Sequence, residues 1–159
     1  MNELGLSEAP SLEVFEDIGY SYEPELHKTE ERLSLSDVVL RKQLRKAIER
    51  LNPDLPEHVV EQVYNRVRDQ TSPEIIENNE DFYELLTEGV SVEYKRDGEK
   101  IGDRAQIIDF DDHRNNTFTV TNQYPVQIGD KTRRIPDIVA FINGLPLIVI
   151  EAKDPTNQN

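Results

Sequence analysis

The chain has 159 residues, a net charge of −14 and no cysteine. That length suits one ordinary domain with a real core, and the missing cysteines exclude disulfides and thiolate metal sites. Apolar residues make up 36% and charged residues 31%, and no stretch approaches the roughly 20 apolar residues that a membrane-spanning helix needs. The N-terminus lacks the basic-then-apolar plan of a signal peptide, so the expected compartment is the cytoplasm, with no membrane partner. The negative balance argues against holding nucleic acid by bulk electrostatics, which takes Lys and Arg to displace counterions. The charge is uneven, however. Residues 1–40 hold ten acids against Lys28 and Arg32, and residues 41–50 hold five bases against Glu49. Any DNA affinity has to be local, metal-assisted or supplied by other domains, while a salt-adapted host would give the same acidic surface.

In chain order, Ser7 is placed to cap a first helix that tolerates Pro10 in its first turn and stops at Gly19. Leu12, Phe15 and Ile18 form its expected buried stripe. Residues 21–34 are polar and read as a loop. Ser36 is placed to cap a second helix running to about Leu51, with Val39, Leu40, Leu44, Ala47, Ile48 and Leu51 at helical spacing. Asn52-Pro53 stops it. A third helix runs from about Pro56 to Asp69 with Val59, Val60, Val63, Tyr64 and Val67 on one side. A fourth runs from near Pro73 to near Gly89, burying Ile75, Ile76, Phe82, Leu85 and Leu86.

Past Gly89 the period changes. Val90 to Tyr94 alternates as a strand does, and Asp97-Gly98 marks a turn. Ile101 to Phe110 and Thr117 to Tyr124 read as further strands. Ile135 to Ile142 and Leu145 to Glu151 are the two most apolar, which predicts a place in the middle of a sheet covered on both faces. The expected fold is a single α/β domain over residues 1–159, with a helical part at about 7–89 and a sheet part at about 90–153. Helices flank a mixed central sheet. Such a sheet usually needs another helix after Glu151, so the sequence is expected to be the N-terminal piece of a longer chain, truncated at its C-terminus.

The chemistry gathers in the last two strands. Asp137 begins one of them, and Glu151 and Lys153 end the next. An antiparallel hairpin brings those ends together, and Glu151 and Lys153, two apart on a strand, share a face. Charges at the end of so apolar a strand are costly unless paired. Two neighbouring carboxylates repel, and a divalent cation relieves the repulsion. Oxygen ligands of this kind suit Mg²⁺, with Lys153 placed to hold or deprotonate a metal-bound water and the metal to stabilise charge on a phosphate under attack. Register offers a test. If Asn143-Gly144 alone forms a two-residue turn, Asp137 faces Ile150 and Glu151 lands on the other side. Pairing Asp137 with Glu151 takes a three- or five-residue loop, or a bulge, and Pro146 makes a regular ladder awkward. The expected connection is therefore an odd-numbered loop.

At these residues the sequence resembles the PD-(D/E)xK nucleases, and more narrowly the N-terminal nuclease domain of the type I restriction enzyme R (HsdR) subunit. Pro136-Asp137, a thirteen-residue gap, and Glu151-Ala152-Lys153 carry the likeness. Leu51-Asn-Pro-Asp-Leu-Pro56 and the segment from Asn79 to Val90 extend it over most of the chain from about Ser7. The resemblance implies a restriction-endonuclease-like fold with Asp137 and Glu151 as metal-binding acids and the carbonyl of Ala152 as a further ligand. Lys153 is implied to activate water. It implies Mg²⁺ as cofactor, with Mn²⁺ as a substitute, and double-stranded DNA as substrate. Glu8 lies where the family often has an acid near the metal, and an exposed Glu favoured by the helix dipole explains that residue equally well. Family members continue into an ATP-driven translocating motor, work with methylation (M) and specificity (S) subunits, and cut remote from the recognised site. ATP is therefore expected in the full-length subunit and not on this fragment. Neither the family's Gln-x-x-x-Tyr helix nor its ATP-binding motifs fall within the sequence, so the isolated fragment need not cut DNA.

Other charged residues carry weaker signals. Lys131, Arg133 and Arg134 precede Asp137 and are placed either to meet a phosphate near the cut or to form an ordinary charged loop. Arg41, Lys42, Arg45, Lys46 and Arg50 make a basic helix side that reads as a solvated face, with tracking of a DNA backbone as the alternative. His27, His58 and His113 show no paired ligand spacing and read as surface residues. Asp109, Asp111, Asp112 and His113 lack a Gly-centred calcium spacing and read as a turn. Two rivals stand beside the nuclease reading. One is a motor-less nuclease of the same fold, such as a repair or resolvase enzyme. The other is a non-cutting acidic module that docks onto a restriction-modification complex.

Overall fold

A computed structural model describes residues 8–71, 79–130 and 132–152. Helix α1 (Ala9–Asp17) comes first, then the short strand β1 (Ser21–Tyr22) and a single 3-10 turn at Leu26–Lys28. Helices α2 (Arg41–Leu51), α3 (Glu57–Gln70) and α4 (Asn79–Glu88) follow. The strands are β2 (Val90–Arg96), β3 (Glu99–Ala105), β4 (Phe118–Asn122), β5 (Val126–Ile128), β6 (Thr132–Arg134), β7 (Ile138–Ile142) and β8 (Leu145–Ile150). They form one four-stranded mixed sheet in the order β1-β4-β7-β8, plus the hairpins β2-β3 and β5-β6. Within the sheet β1 runs parallel to β4, and the other neighbours are antiparallel. The α/β class and the flanked mixed sheet are as expected.

Strand β7 is the centre of that sheet, and its alternation splits the core in two. Ile138 and Ala140 pack with Val120 against Leu12 and Phe15 of α1. Val139 and Phe141 face the other way, toward Leu26, Leu40 and Tyr124. A larger cluster joins Leu44 and Ile48 of α2, Val59, Val63 and Val67 of α3, and Leu85 of α4 to Val90, Val92 and Tyr94. Valines are indifferent helix formers, but in α3 their spacing buries them against a hairpin, and packing overrides propensity. Asn52, from the Leu-Asn-Pro segment, ties the end of α2 to the chain after β3. Its amide donates to the carbonyls of Ile48 and Gln106, and its Oδ1 accepts from the Gln106 N–H.

Several expectations need correction. Ser36 does not cap the second helix, which starts five residues later. The helix N-terminus receives its anion from farther back: Glu31 Oε2 accepts from the N–H groups of Lys42 (2.7 Å) and Gln43 (3.3 Å), satisfying donors that a helix start leaves open. Residues 21–34 are not merely a polar loop. Leu26 is buried, and so is Arg32, whose guanidinium donates to the carbonyls of Leu35, Asp37 and Pro125 and lies 4.2 Å from the centre of the Tyr124 ring. Ile18 is exposed because α1 ends one residue before it. The strand expected over Ile101 to Phe110 ends at Ala105, with Ile107 and Ile108 buried beyond it. The β5-β6 hairpin was not foreseen. β8 is an edge strand among the described residues, with Ile148 and Val149 exposed. His27 is half-buried and its Nδ1 has no hydrogen-bond partner, and burial, Lys28 and Arg32 push its pKa down. Ser7, Pro73, Ile75 and Ile76 lie outside the described residues.

The turn between β7 and β8 docks on α2. Asn143 and Gly144 both take positive φ, as a two-residue hairpin turn of this hand requires. The Gly144 carbonyl accepts from the Leu40 N–H at 2.8 Å. Asn143 is fully buried and serves three segments. Its Nδ2 donates to the Ile107 carbonyl and to Asn116, and its Oδ1 accepts from the Thr117 N–H and from Arg50 of α2.

Candidate active site

The hairpin sets where Asp137 lies. Ile142 pairs with Leu145 across the two-residue turn, and that turn alone would put Asp137 opposite Ile150. Strand β8 carries one extra residue, however. Phe141 pairs with Pro146 and Ala140 with Ile148, so Leu147 is bulged out. From there Ile138 pairs with Ile150, and one further step of the same register sets Asp137 across from Glu151. The expected odd-numbered loop is thus corrected. The turn has two residues, and a bulge beside Pro146, which has no N–H to give a ladder, makes the adjustment. Beyond the strand the backbone N–H of Ala152 donates to Asp137 Oδ2 at 2.7 Å.

A second segment reaches the same carboxylate. Strand β4 pairs with β7 as far as Asn122 and Ile138. The next residue, Gln123, takes a left-handed backbone with φ +49°. Its N–H donates to the Asp137 carbonyl at 2.9 Å, and the Tyr124 N–H donates to the Pro136 carbonyl at 3.2 Å. The side chain of Gln123 turns toward two acids at once. Nε2 donates to Glu8 Oε1 at 2.6 Å and to Asp137 Oδ1 at 3.3 Å. The two carboxylate oxygens are therefore no farther apart than those two bonds laid end to end. Asn122 Nδ2 donates to the remaining oxygen of Glu8 at 3.1 Å, and the Tyr22 hydroxyl donates to Asn122 Oδ1 at 2.9 Å. Burial raises the Tyr22 pKa, and the charges of Glu8 and Glu16 add to the rise.

Glu8 is only 7% exposed. It stands at the N-cap position of α1 but makes no side-chain cap bond, its oxygens being engaged by Asn122 and Gln123. The view of Glu8 as an exposed acid held by the helix dipole is therefore overturned. Glu8, Asp137 and the Ala152 backbone come together. Glu151 is exposed and directly follows Ile150, which pairs with Ile138, the residue after Asp137. Lys153 and Lys131 lie outside the described residues. Arg133 and Arg134 are exposed on β6, the strand that leads into Asp137. Among the described residues, two of the five bases on the basic side of α2 are matched by acids, Arg45 by Glu49, Glu57 and Glu61 and Lys42 by Glu30. The acidic segment at 109–113 is a turn, as expected: Asp109 accepts from the N–H groups of Asp111 and Asp112 and from the Asn115 amide.

Sequence reasoning missed Gln123, Asn122 and Tyr22. The available signal was a pair of amide residues closing an apolar strand, where solvated or turn residues would do as well. Chemically, the arrangement is a pair of carboxylates held close, with no cationic side chain bonded to either among the described residues. Each of their four oxygens accepts one of the hydrogen bonds above, and a carboxylate has about four lone-pair sites to share between its two oxygens. Acceptor capacity is therefore left over. Among the described residues no three Asp, Glu or His side chains gather into a group that could hold a metal by themselves. A hard cation that keeps several waters and takes one or two carboxylates fits this donor set.

Comparison with known proteins places the chain. The family model described as type I restriction enzyme R protein N terminus (HSDR_N) matches residues 1–159. Over 128 residues the chain is 40% identical to the type I restriction enzyme HindI endonuclease subunit of Haemophilus influenzae, covering 80% of this chain and 12% of that protein. Over 163 residues it is 35% identical to the putative type I restriction enzyme MjaIXP endonuclease subunit of Methanocaldococcus jannaschii, covering 99% of this chain and 16% of that protein. A second subunit of that organism, the putative MjaVIIIP endonuclease subunit, is 24% identical over 125 residues. The chain thus spans less than a fifth of the length of the relatives it matches. With the family model covering it from end to end, the chain belongs to the type I restriction enzyme R protein N-terminal family.

Proposed function

We propose that this chain is the nuclease domain of a restriction subunit, hydrolysing phosphodiester bonds of double-stranded DNA with Mg²⁺. Asp137 and Glu151 are the metal ligands, with the Ala152 carbonyl and Glu8 completing the protein's share, and Lys153 activates the attacking water. The observation that carries the reading is the meeting at Asp137. One carboxylate receives the amide that also holds Glu8, and the bulged register, which pairs Ile138 with Ile150, would set Glu151 across from it one step on. Bound there, Mg²⁺ would supply charge stabilisation for a phosphate under attack. The chain's own part is to hold Asp137 from both sides, through Gln123 and through the Ala152 N–H, and to keep Glu8 nearly out of water. Arg133 and Arg134 on the adjoining hairpin are suited to a DNA backbone phosphate.

In the longer subunit the proposal includes coupling to ATP-driven translocation and association with methylation and specificity subunits. One observation favours a second reading, a non-cutting docking module: no three acids or histidines among the described residues gather into a group that could hold a metal. Calorimetric titration of Mn²⁺ into the wild-type chain and its Asp137→Ala and Glu151→Ala variants separates the two. Binding lost in both variants supports the nuclease, and no wild-type binding supports the docking module.

A further inference from the structure

We infer that Gln123 is a positioning residue for two acids, holding buried Glu8 and partly exposed Asp137 in one ligand geometry across elements more than a hundred residues apart in sequence. The inference rests on the metal-site reading above and adds to it the residue that builds the site.

Three observations carry it. The first is the double donation: one amide nitrogen gives one hydrogen to Glu8 Oε1 and the other to Asp137 Oδ1. A carboxamide NH₂ has two hydrogens, and both are used on the pair. The second is the backbone. Gln123 is neither Gly nor Asn, yet it adopts φ +49°, a conformation that is costly for an ordinary residue and persists where the surroundings hold it. Here the backbone is held by its own N–H bond to the Asp137 carbonyl. Main chain and side chain of one residue thus both register against Asp137. The third is what the amide leaves free. Among the described residues each of the four carboxylate oxygens accepts a single bond, from Asn122, Gln123 or the Ala152 N–H. Lone pairs are left with which a cation could bind without displacing these donors. By bonding both carboxylates the amide would orient them for an ion, as groups that orient metal ligands do.

The test is Mn²⁺ affinity, measured by calorimetry and by loss of the free-ion electron paramagnetic resonance signal, on the wild-type chain and on Gln123→Ala, Gln123→Gly and Gln123→Glu. Loss of an orienting partner typically weakens metal binding about 10–100-fold, and that is the expected change for Ala and Gly. Glycine is at ease at φ +49°, so Gln123→Gly keeps the test open should Gln123→Ala fold poorly. A residue needed only for folding would leave the affinity of the well-folded glycine variant unchanged. Gln123→Glu has the same shape but adds a third carboxylate in place of the donor. Its melting temperature is expected to fall below wild type at pH 8 and to recover on adding Mn²⁺. Wild-type binding that is lost in Asp137→Ala but kept in the Ala and Gly variants of Gln123 would overturn this inference and leave the nuclease reading standing. No binding by the wild-type chain would overturn both.

Discussion

Asp137 and Ala152 are joined by a 2.7 Å hydrogen bond from the alanine N–H to the aspartate Oδ2. The bond fastens the chain just past β8 to the start of β7, and so fixes the backbone that separates Glu151 from Lys153. A carboxylate that accepts from a backbone N–H is also oriented by it.

That link separates two substitutions. Asp137→Asn keeps an acceptor for the Ala152 N–H and removes the charge, whereas Asp137→Ala removes both. In a full-length subunit assembled with its partners, either is expected to reduce DNA cutting at least about a hundredfold while ATP hydrolysis continues. Lys153→Ala is expected to do the same, within the range of about 10²–10⁴ typical of a lost proton-transfer group. Plasmid linearisation beside a phosphate-release assay reads both. Normal cutting by Asp137→Ala would refute the assignment.

Gly144→Ala tests the docking of the turn on α2. The new Cβ would lie 2.5 Å from the Leu40 carbonyl oxygen and 2.8 Å from the Leu44 nitrogen, and φ is +80°. Backbone cannot yield as a flexible side chain does. The combined clash and left-handed strain are expected to cost about 2–4 kcal/mol, visible as a lower urea midpoint with an unchanged slope.

Arg32→Met tests the buried guanidinium. Methionine fills much of the same space beside Tyr124, but the carbonyls of Asp37 and Pro125 lose their donor, while that of Leu35 keeps the Gln127 N–H. Unsatisfied buried acceptors are expected to cost on the order of 3 kcal/mol in total. Thermal unfolding followed by circular dichroism gives the value. A loss under about 1 kcal/mol would mean that water replaces the guanidinium there.

Asp109 gives a pH signature. The Asn115 amide first, then the Asp112 and Asp111 N–H groups, hold its carboxyl below the ordinary value of 3.8. A depressed folded-state pKa stabilises the fold above the ordinary value, and that contribution fades as pH falls through the lower, folded one. Asp109→Ala is therefore expected to melt lower than wild type at pH 6, with the difference shrinking below about pH 4. The group is exposed, so the effect is small. A difference that grows in acid would contradict it.

The sequence made the strong periodicities legible. The stripe Val59, Val60, Val63, Tyr64 and Val67 was enough to place α3 within a residue at each end, because its burial is decided by local spacing. The apolar hairpin was legible for the same reason, but its two-residue turn was not, because the bulge at Leu147 makes the register adjustment that an odd-numbered loop was expected to make. What escaped were partners remote in sequence. Glu31 replaces Ser36 at the start of α2, and Arg32 turns a polar-looking stretch into a buried anchor. At the site, the acids could be named, but the amide that joins two of them could not. Gln123 bonds to Glu8 across 115 positions, and no spacing rule spans such a distance. Lys153, the third residue of the pattern, lies outside the described residues.

The single bulged residue at Leu147 has a consequence for how this hairpin can vary in length. Asp137 and Glu151 are separated by five paired steps on each strand, a turn of two and one unpaired residue. With the bulge in place, the facing of the two acids depends on parity within the paired strands. Residues added to the turn can be taken up in a longer loop that leaves the acids face to face, while one residue added within a paired strand turns Glu151 away unless a second bulge is gained. A lone insertion within either paired strand would therefore act on the chemistry at the strand ends without touching either side chain.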